Sequence, residues 1–123
     1  MLLKANINEP VTSPKVAKQY LKELVHKIGM NPVTKPQAYY VQDAGNEGLT
    51  ASINLATSHI AFHCWDYSKL LMLDVYSCKE FNPKDVLSVT AHYFYGFEDY
   101  QYQLMDRYTF LLKHTLIEMK DRL

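Results

Sequence analysis

Between Leu49 and Cys78 the chain carries three apolar, β-prone runs with very little between them: Leu49 to Leu55, Ser58 to Trp65 and Leu70 to Cys78. Only Ala56-Thr57 separates the first two, and only Asp66 to Lys69 the second pair. Runs of this length with such short breaks fold as consecutive hairpins, so an antiparallel sheet must form the middle of the molecule. The same stretch brings together Ser58, His59, His63, Cys64 and Cys78, a density of reactive side chains found nowhere else in the sequence.

The remaining elements attach to this centre. Residues 2–8 read as a first strand. Ser13 followed by Pro14 starts a helix, because the serine hydroxyl can cap free amides and proline suits the first turn. Val16, Tyr20, Leu21, Leu24, Val25 and Ile28 make an apolar stripe at helical spacing, and Gly29 is a natural stop, so a helix is expected over 14–28. Pro32 and Pro36 break the chain before a second strand at 38–41. Asn82-Pro83 repeats the cap-plus-proline start, and Val86, Val89, Thr90, Tyr93 and Phe94 continue it as a helix up to Gly96. Tyr100, Tyr102 and Leu104 suggest another strand. Phe110 to Leu123 reads as a terminal helix with Leu111, Leu112, Leu116 and Met119 inward. Hairpin-linked strands with interspersed helices imply an α+β fold, a two-layer sandwich with an antiparallel sheet and helices on one face.

At 123 residues there is room for a single domain. Thirteen basic and thirteen acidic side chains cancel, which argues against a nucleic-acid or anionic-membrane surface. No signal-peptide core and no membrane-length apolar run is visible, so a cytoplasmic protein is expected. Two cysteines in a reducing compartment are expected to stay free, and their spacing fits no zinc motif.

If the second hairpin closes at Asp66 to Lys69, Trp65 faces Leu70 and, counting back, Ser58 faces Ser77 beside Cys78. Ser58 and Cys78 are then neighbours in space. His63 lies an odd number of residues from Ser58, so strand alternation puts the two on opposite faces unless the chain bends or bulges. Serine, histidine and cysteine together suggest nucleophilic catalysis. The sequence around Ser58 has no Gly-x-Ser-x-Gly elbow, which disfavours a hydrolase. A metal site from His59, His63 and Cys64 lacks supporting spacing, and none is expected. Cys64 is expected to be core, Glu47 a solvated turn residue, and His26, His92 and His114 helix residues without a role.

The run Thr57-Ser58-His59-Ile60-Ala61-Phe62-His63-Cys64-Trp65, followed by Leu73-Asp74-Val75-Tyr76-Ser77-Cys78, resembles the bacterial and archaeal S-adenosylmethionine decarboxylases. The resemblance runs without gaps from about Glu47 to Val86. It implies a self-processing carboxy-lyase, made as a zymogen, that carries a pyruvoyl cofactor. Ser58 would attack the carbonyl of Thr57, and the chain would part into 1–57 and 58–123, with residue 58 becoming the pyruvoyl group. The ketone would form a Schiff base with the substrate amine and take up the electrons released by decarboxylation, as pyridoxal phosphate does. By the same resemblance, His63 handles protons in processing, Cys78 reprotonates the substrate carbon, and Thr50 is an assisting hydroxyl. Trp65, Asp66 and Tyr67 fall where the family contacts its substrate. The implied product donates aminopropyl groups for spermidine synthesis, and the implied assembly is a homodimer or larger, with the aromatic run His92 to Tyr95 as a contact surface.

The sequence departs from the family at several of these places. Thr57 stands where the family has glutamate. Trp65-Asp66-Tyr67 replaces Trp-Pro-Glu, whose glutamate holds the ribose hydroxyls, so the carboxylate sits one residue early. Ala44 falls near the position of an adenine-stacking aromatic, and Lys79 replaces a glycine. Two alternatives therefore stay open: a pyruvoyl-dependent decarboxylase of a smaller amino acid such as arginine or ornithine, and a non-cleaving homologue that binds a ligand or a partner subunit.

Overall fold

The computed structural model describes residues 1–106, 109 and 111–118, the last stretch by its backbone alone. Among these residues there are two helices and a seven-stranded sheet, in the order β1 (Leu2–Asn6), α1 (Pro14–Lys27), β2 (Gln37–Val41), β3 (Gly48–Asn54), β4 (His59–Trp65), β5 (Leu70–Tyr76), α2 (Pro83–Tyr93), β6 (Glu98–Asp106) and β7 (Leu111–Glu118). The fold is an α+β sandwich. Across the sheet the strands run β2-β3-β4-β5-β1-β6-β7, every neighbouring pair antiparallel.

Both helices start as their sequences dictate. Ser13 caps α1 by accepting from the Val16 amide at 3.3 Å, and Asn82 caps α2 by accepting from the Lys84 amide at 3.0 Å. Each cap is worth about 1 kcal/mol. Gly29, at φ +69°, ends α1 in a conformation that side-chain-bearing residues rarely adopt.

Alternation along the central strands separates two faces. Ile60, Phe62 and Cys64 of β4 are buried together with Leu49, Ala51 and Ile53 of β3 and Leu71, Leu73 and Val75 of β5. They meet Ala17, Leu21, Leu24 and Val25 of α1 and Val86 and Val89 of α2 in one core. Tyr20 binds this core together: its ring meets Phe62 and Phe94 edge-on, and its hydroxyl lies 2.7 Å from Thr90 Oγ1. Thr90 Oγ1 in turn donates to the Val86 carbonyl at 2.7 Å, so the Tyr20 hydroxyl is the donor between them. Burial in this apolar environment pushes the Tyr20 phenol pKa up.

Among the described residues no helix lies over the opposite face of the sheet. Leu2 is 56% exposed and Met72 41%, and His63 and Trp65 are half-buried beside them. Exposed Lys4, Ser52 and Asp74 share this face, so it mixes apolar side chains with the polar residues that a one-sided antiparallel sheet normally presents to water.

Two expectations are corrected. Leu111–Glu118 is not helical; it forms β7 and pairs with β6 from Tyr100↔Glu118 to Asp106↔Leu111. The open edge of β6 supplies a ladder that outweighs a weak local helical preference. The rest of the expected terminal helix, Phe110 and 119–123, lies outside the described residues. The aromatic run His92 to Tyr95 offers less apolar surface than expected, although Tyr95 is 68% exposed. Phe94 is fully buried, and Tyr93 packs on Tyr20 and donates to Glu23 at 2.5 Å.

Among the described residues no helix is long and apolar enough to cross a membrane.

Candidate active site

The β4–β5 register places Trp65 opposite Leu70 and His59 opposite Tyr76, as turn length alone required. Ser58 sits one residue before β4 and Cys78 two residues after β5. The Cys78 amide donates to Ser58 Oγ at 3.1 Å, so the two residues meet at the end of the hairpin.

Ser58 occupies the end of a very tight turn. The β3–β4 ladder closes at Asn54↔His59, and the Leu55 amide then donates to the Ser58 carbonyl at 2.8 Å. Ala56 and Thr57 alone span the gap. The turn is pinned from outside, because the Ala56 amide donates to the Asn31 carbonyl at 3.2 Å. Thr57 Oγ1 lies 2.5 Å from Cys78 Sγ. Hydrogen bonding from Thr57, and secondarily from Ser58, lowers the Cys78 pKa below the usual thiol range. The next residue, Lys79, reaches back to the Gly29 carbonyl at 2.5 Å. A cavity of about 170 Å³ opens here, lined by Ser58, Cys78, Thr57, Lys79, Asn31 and Met30.

The second group of candidate residues lies elsewhere. β4 runs from His59 to Trp65 without a bulge, so His63 stays on the open face while the turn carries Ser58 off the strand end. At about 3.3 Å per residue, His63 is roughly 16 Å from Ser58, and Asp66 is roughly 25 Å away. The structure therefore brings Ser58, Thr57 and Cys78 together, and brings Thr50, His63 and Trp65 together, but does not merge the two groups within one chain.

In the second group Thr50 and Met72 flank His63 directly across the ladder. The His63 and Trp65 rings are 4.2 Å apart at 68°. His63 Nε2 is buried and has no hydrogen-bond partner among the described residues. Trp65 Nε1 donates to Asn46 Oδ1 at 3.2 Å. Gly48 permits the close strand approach beneath: a Cβ there would sit 1.9 Å from the Cys64 carbonyl oxygen. At the hairpin tip the Asp66 amide donates to the Glu47 carbonyl at 2.9 Å, and the Tyr40 hydroxyl donates to Asp66 Oδ2. The bond to Asp66 and the carboxylate charge push the Tyr40 phenol up to about 12. Asp66 Oδ1 is buried and unpartnered among the described residues, whereas Tyr67 is 82% exposed.

Cys64 is fully buried, and burial raises its thiol to about 11. His59 stacks on Tyr76 with centroids 5.0 Å apart, on the open face. Among the described residues no three His, Cys, Asp or Glu side chains group so as to hold a metal ion. Sequence reasoning missed Tyr40 and Asn46; both lie in or beside the short 42–47 connection of the β2–β3 hairpin, and no local pattern signals that this hairpin brings them to Asp66 and Trp65. It weighed Thr57 only for its backbone carbonyl, although the turn also brings its hydroxyl to Cys78.

A family model described as S-adenosylmethionine decarboxylase matches residues 4–108, from β1 through β6. No curated protein matches the chain.

Proposed function

The chain belongs to the S-adenosylmethionine decarboxylase family, and on that premise we propose that it is a decarboxylase that makes a pyruvoyl cofactor from its own Ser58. The observation that carries this reading is the meeting of Ser58, Thr57 and Cys78 around one cavity at the end of the central hairpin.

The tight turn favours the first step. Ser58 Oγ attacks the Thr57 carbonyl carbon; the C–N bond breaks, the C–O bond forms, and the freed amine takes the hydroxyl proton. Loss of the Cα proton of residue 58 then expels Thr57 as a carboxylate and leaves dehydroalanine. Its imine tautomer takes up water and releases ammonia, which gives the new chain its pyruvoyl end. The Cys78 amide holds the attacking oxygen, and the Leu55 and Ala56 amides hold the turn.

The surroundings of residue 58 fit such a group: its side chain borders a cavity large enough for the amino-acid part of a substrate, with a thiol beside it. A pyruvoyl group would supply a ketone that accepts the substrate amine and draws off the electrons left when carbon dioxide departs. Cys78 is placed to return a proton to the substrate carbon. In the uncut chain, hydrogen bonds from Thr57 and Ser58 lower its pKa.

His63, Thr50, Trp65 and Asp66 serve a site completed by a second copy. No small substrate anchored at residue 58 spans the roughly 25 Å to Asp66 of its own chain. The uncovered sheet face carrying Leu2, Met72, His63 and Trp65 is suited to a symmetric partner, which would bring the His63 row of one copy to the Ser58 cluster of the other. The unpartnered Asp66 Oδ1 is then available to accept from a substrate hydroxyl. With S-adenosylmethionine as substrate, the product would donate aminopropyl groups for spermidine synthesis.

One observation favours a smaller amino acid such as arginine or ornithine: Tyr40 already occupies one Asp66 oxygen, which leaves less to read a ribose. Release of labelled carbon dioxide from each substrate separates the two readings. An intact-mass spectrum of the purified protein tests both. Fragments corresponding to 1–57 and to a pyruvoyl-started 58–123 are expected; a single uncut chain in which Ser58 is unaltered would sink the proposal.

A further inference from the structure

A second cavity, of about 360 Å³, lies on the helix-covered side of the sheet, between the last turns of α1 and the 30–36 segment. Its floor is apolar: Val25, Met30 and Ile53 are almost wholly buried. Its rim carries the exposed cations Lys22 and Lys35 and the imidazole of His26. Among the described residues no carboxylate lines it. Leu24, Val25 and His26 accept from the amides of Ile28, Met30 and Gly29, and Gly29 accepts from Lys79. An apolar floor under two ammonium groups, at a volume typical of small-molecule sites, is complementary to a compact organic anion.

The wall of this cavity is also the wall of the Ser58 cavity. Met30 lines both. Pro32 bridges to Leu55, the Val33 amide donates to the Asn54 carbonyl at 3.0 Å, and the Ala56 amide donates to the Asn31 carbonyl. Thr34 Oγ1 accepts from the Asn54 amide at 3.2 Å. Anything that displaces the 30–35 segment therefore displaces the Leu55–Ser58 turn.

We propose that this cavity is an effector site for a small aromatic or aliphatic anion, with its apolar body on Val25, Met30 and Ile53, its charge between Lys22 and Lys35, and its occupancy transmitted through residues 30–34 to the Ser58 turn. The proposal stands whether or not the chain is processed, because its readout is binding.

The test is a titration of the ¹⁵N-labelled full chain, at constant ionic strength, with three probes of one shape: 2-naphthoate, 2-naphthalenemethanol and 2-naphthylmethylammonium. Naphthoate should shift the amide resonances of His26, Met30 and Ile53 saturably, at least tenfold more tightly than the alcohol, and the ammonium should leave them unmoved. The double variant Lys22→Gln, Lys35→Gln removes two exposed charges and should weaken naphthoate at least tenfold with an unchanged melting temperature. Equal binding of the three probes, shifts that map elsewhere, or undiminished binding by the double variant would overturn the site. Amides of Leu55 to Thr57 that stay still while the cavity saturates would overturn the coupling.

Discussion

The Cys78 backbone amide donates to Ser58 Oγ across 3.1 Å, although the two residues lie at the far ends of adjacent strands. The contact holds the side chain of Ser58 against the residue whose thiol the Thr57 hydroxyl polarises. One turn thus gathers the three groups that the proposed mechanism uses: a serine hydroxyl, the peptide bond before it and a thiol.

The two cysteines should differ sharply in reactivity. Cys78 is exposed with a lowered pKa, and Cys64 is buried with a raised one. In the folded, uncut chain iodoacetamide should alkylate Cys78 alone, with a pH profile whose midpoint lies below that of a free thiol. The Thr57 hydroxyl stabilises the thiolate, so Thr57→Val should move that midpoint upward. Peptide mapping across a pH series reads both; an unmoved midpoint in Thr57→Val would show that the contact does not tune the thiol.

A site shared between copies predicts complementation. Ser58→Ala and His63→Ala should each abolish decarboxylation when expressed alone. Co-expressed with different tags, they should form mixed dimers that carry one complete site. Random pairing makes half the dimers mixed, so activity should return to about one quarter of wild type. Purified mixed dimers with no activity above the single variants would exclude the shared site.

The buried Tyr20–Thr90 pair gives an asymmetric stability prediction. Tyr20→Phe leaves the Thr90 hydroxyl still donating to Val86, so the loss should be about 1 kcal/mol. Thr90→Val strands the Tyr20 donor in the core and should cost more, about 1–3 kcal/mol. Urea denaturation of both variants checks the order, and equal or reversed costs would contradict the donor assignment.

Asp66 holds the Tyr40 phenol at about 12 because the phenol donates to the carboxylate and the phenolate would be repelled by it. Asp66→Asn removes the charge, so one tyrosine should begin to ionise closer to pH 10. The difference in phenolate absorbance between wild type and variant, followed from pH 9 to 12, should show an excess in the variant. Superimposable titrations would mean that Tyr40 and Asp66 do not interact in solution.

Much of this was legible in the chain. Ser13-Pro14 and Asn82-Pro83 wrote the helix starts, and the apolar alternation wrote the strands. The short Asp66–Lys69 connection fixed the hairpin register, and with it the Ser58–Cys78 contact, because turn length determines which residues of adjacent strands face each other. The alternation rule also anticipated that His63 and Ser58 would not share a face. These are local properties, carried by residues close in sequence.

Only the tertiary structure decided the rest. Residues 111–118 became a strand because β6 offered an open edge, a condition no window of the sequence contains. The bond from Tyr40 to Asp66 required the β2–β3 and β4–β5 hairpins to lie side by side, and the uncovered face required both helices to pack on the other side. The unbroken β4 kept the His63 group far from Ser58. The residue types of the candidate site can be read along the chain, but whether they meet depends on non-local packing, which is settled by the whole core at once.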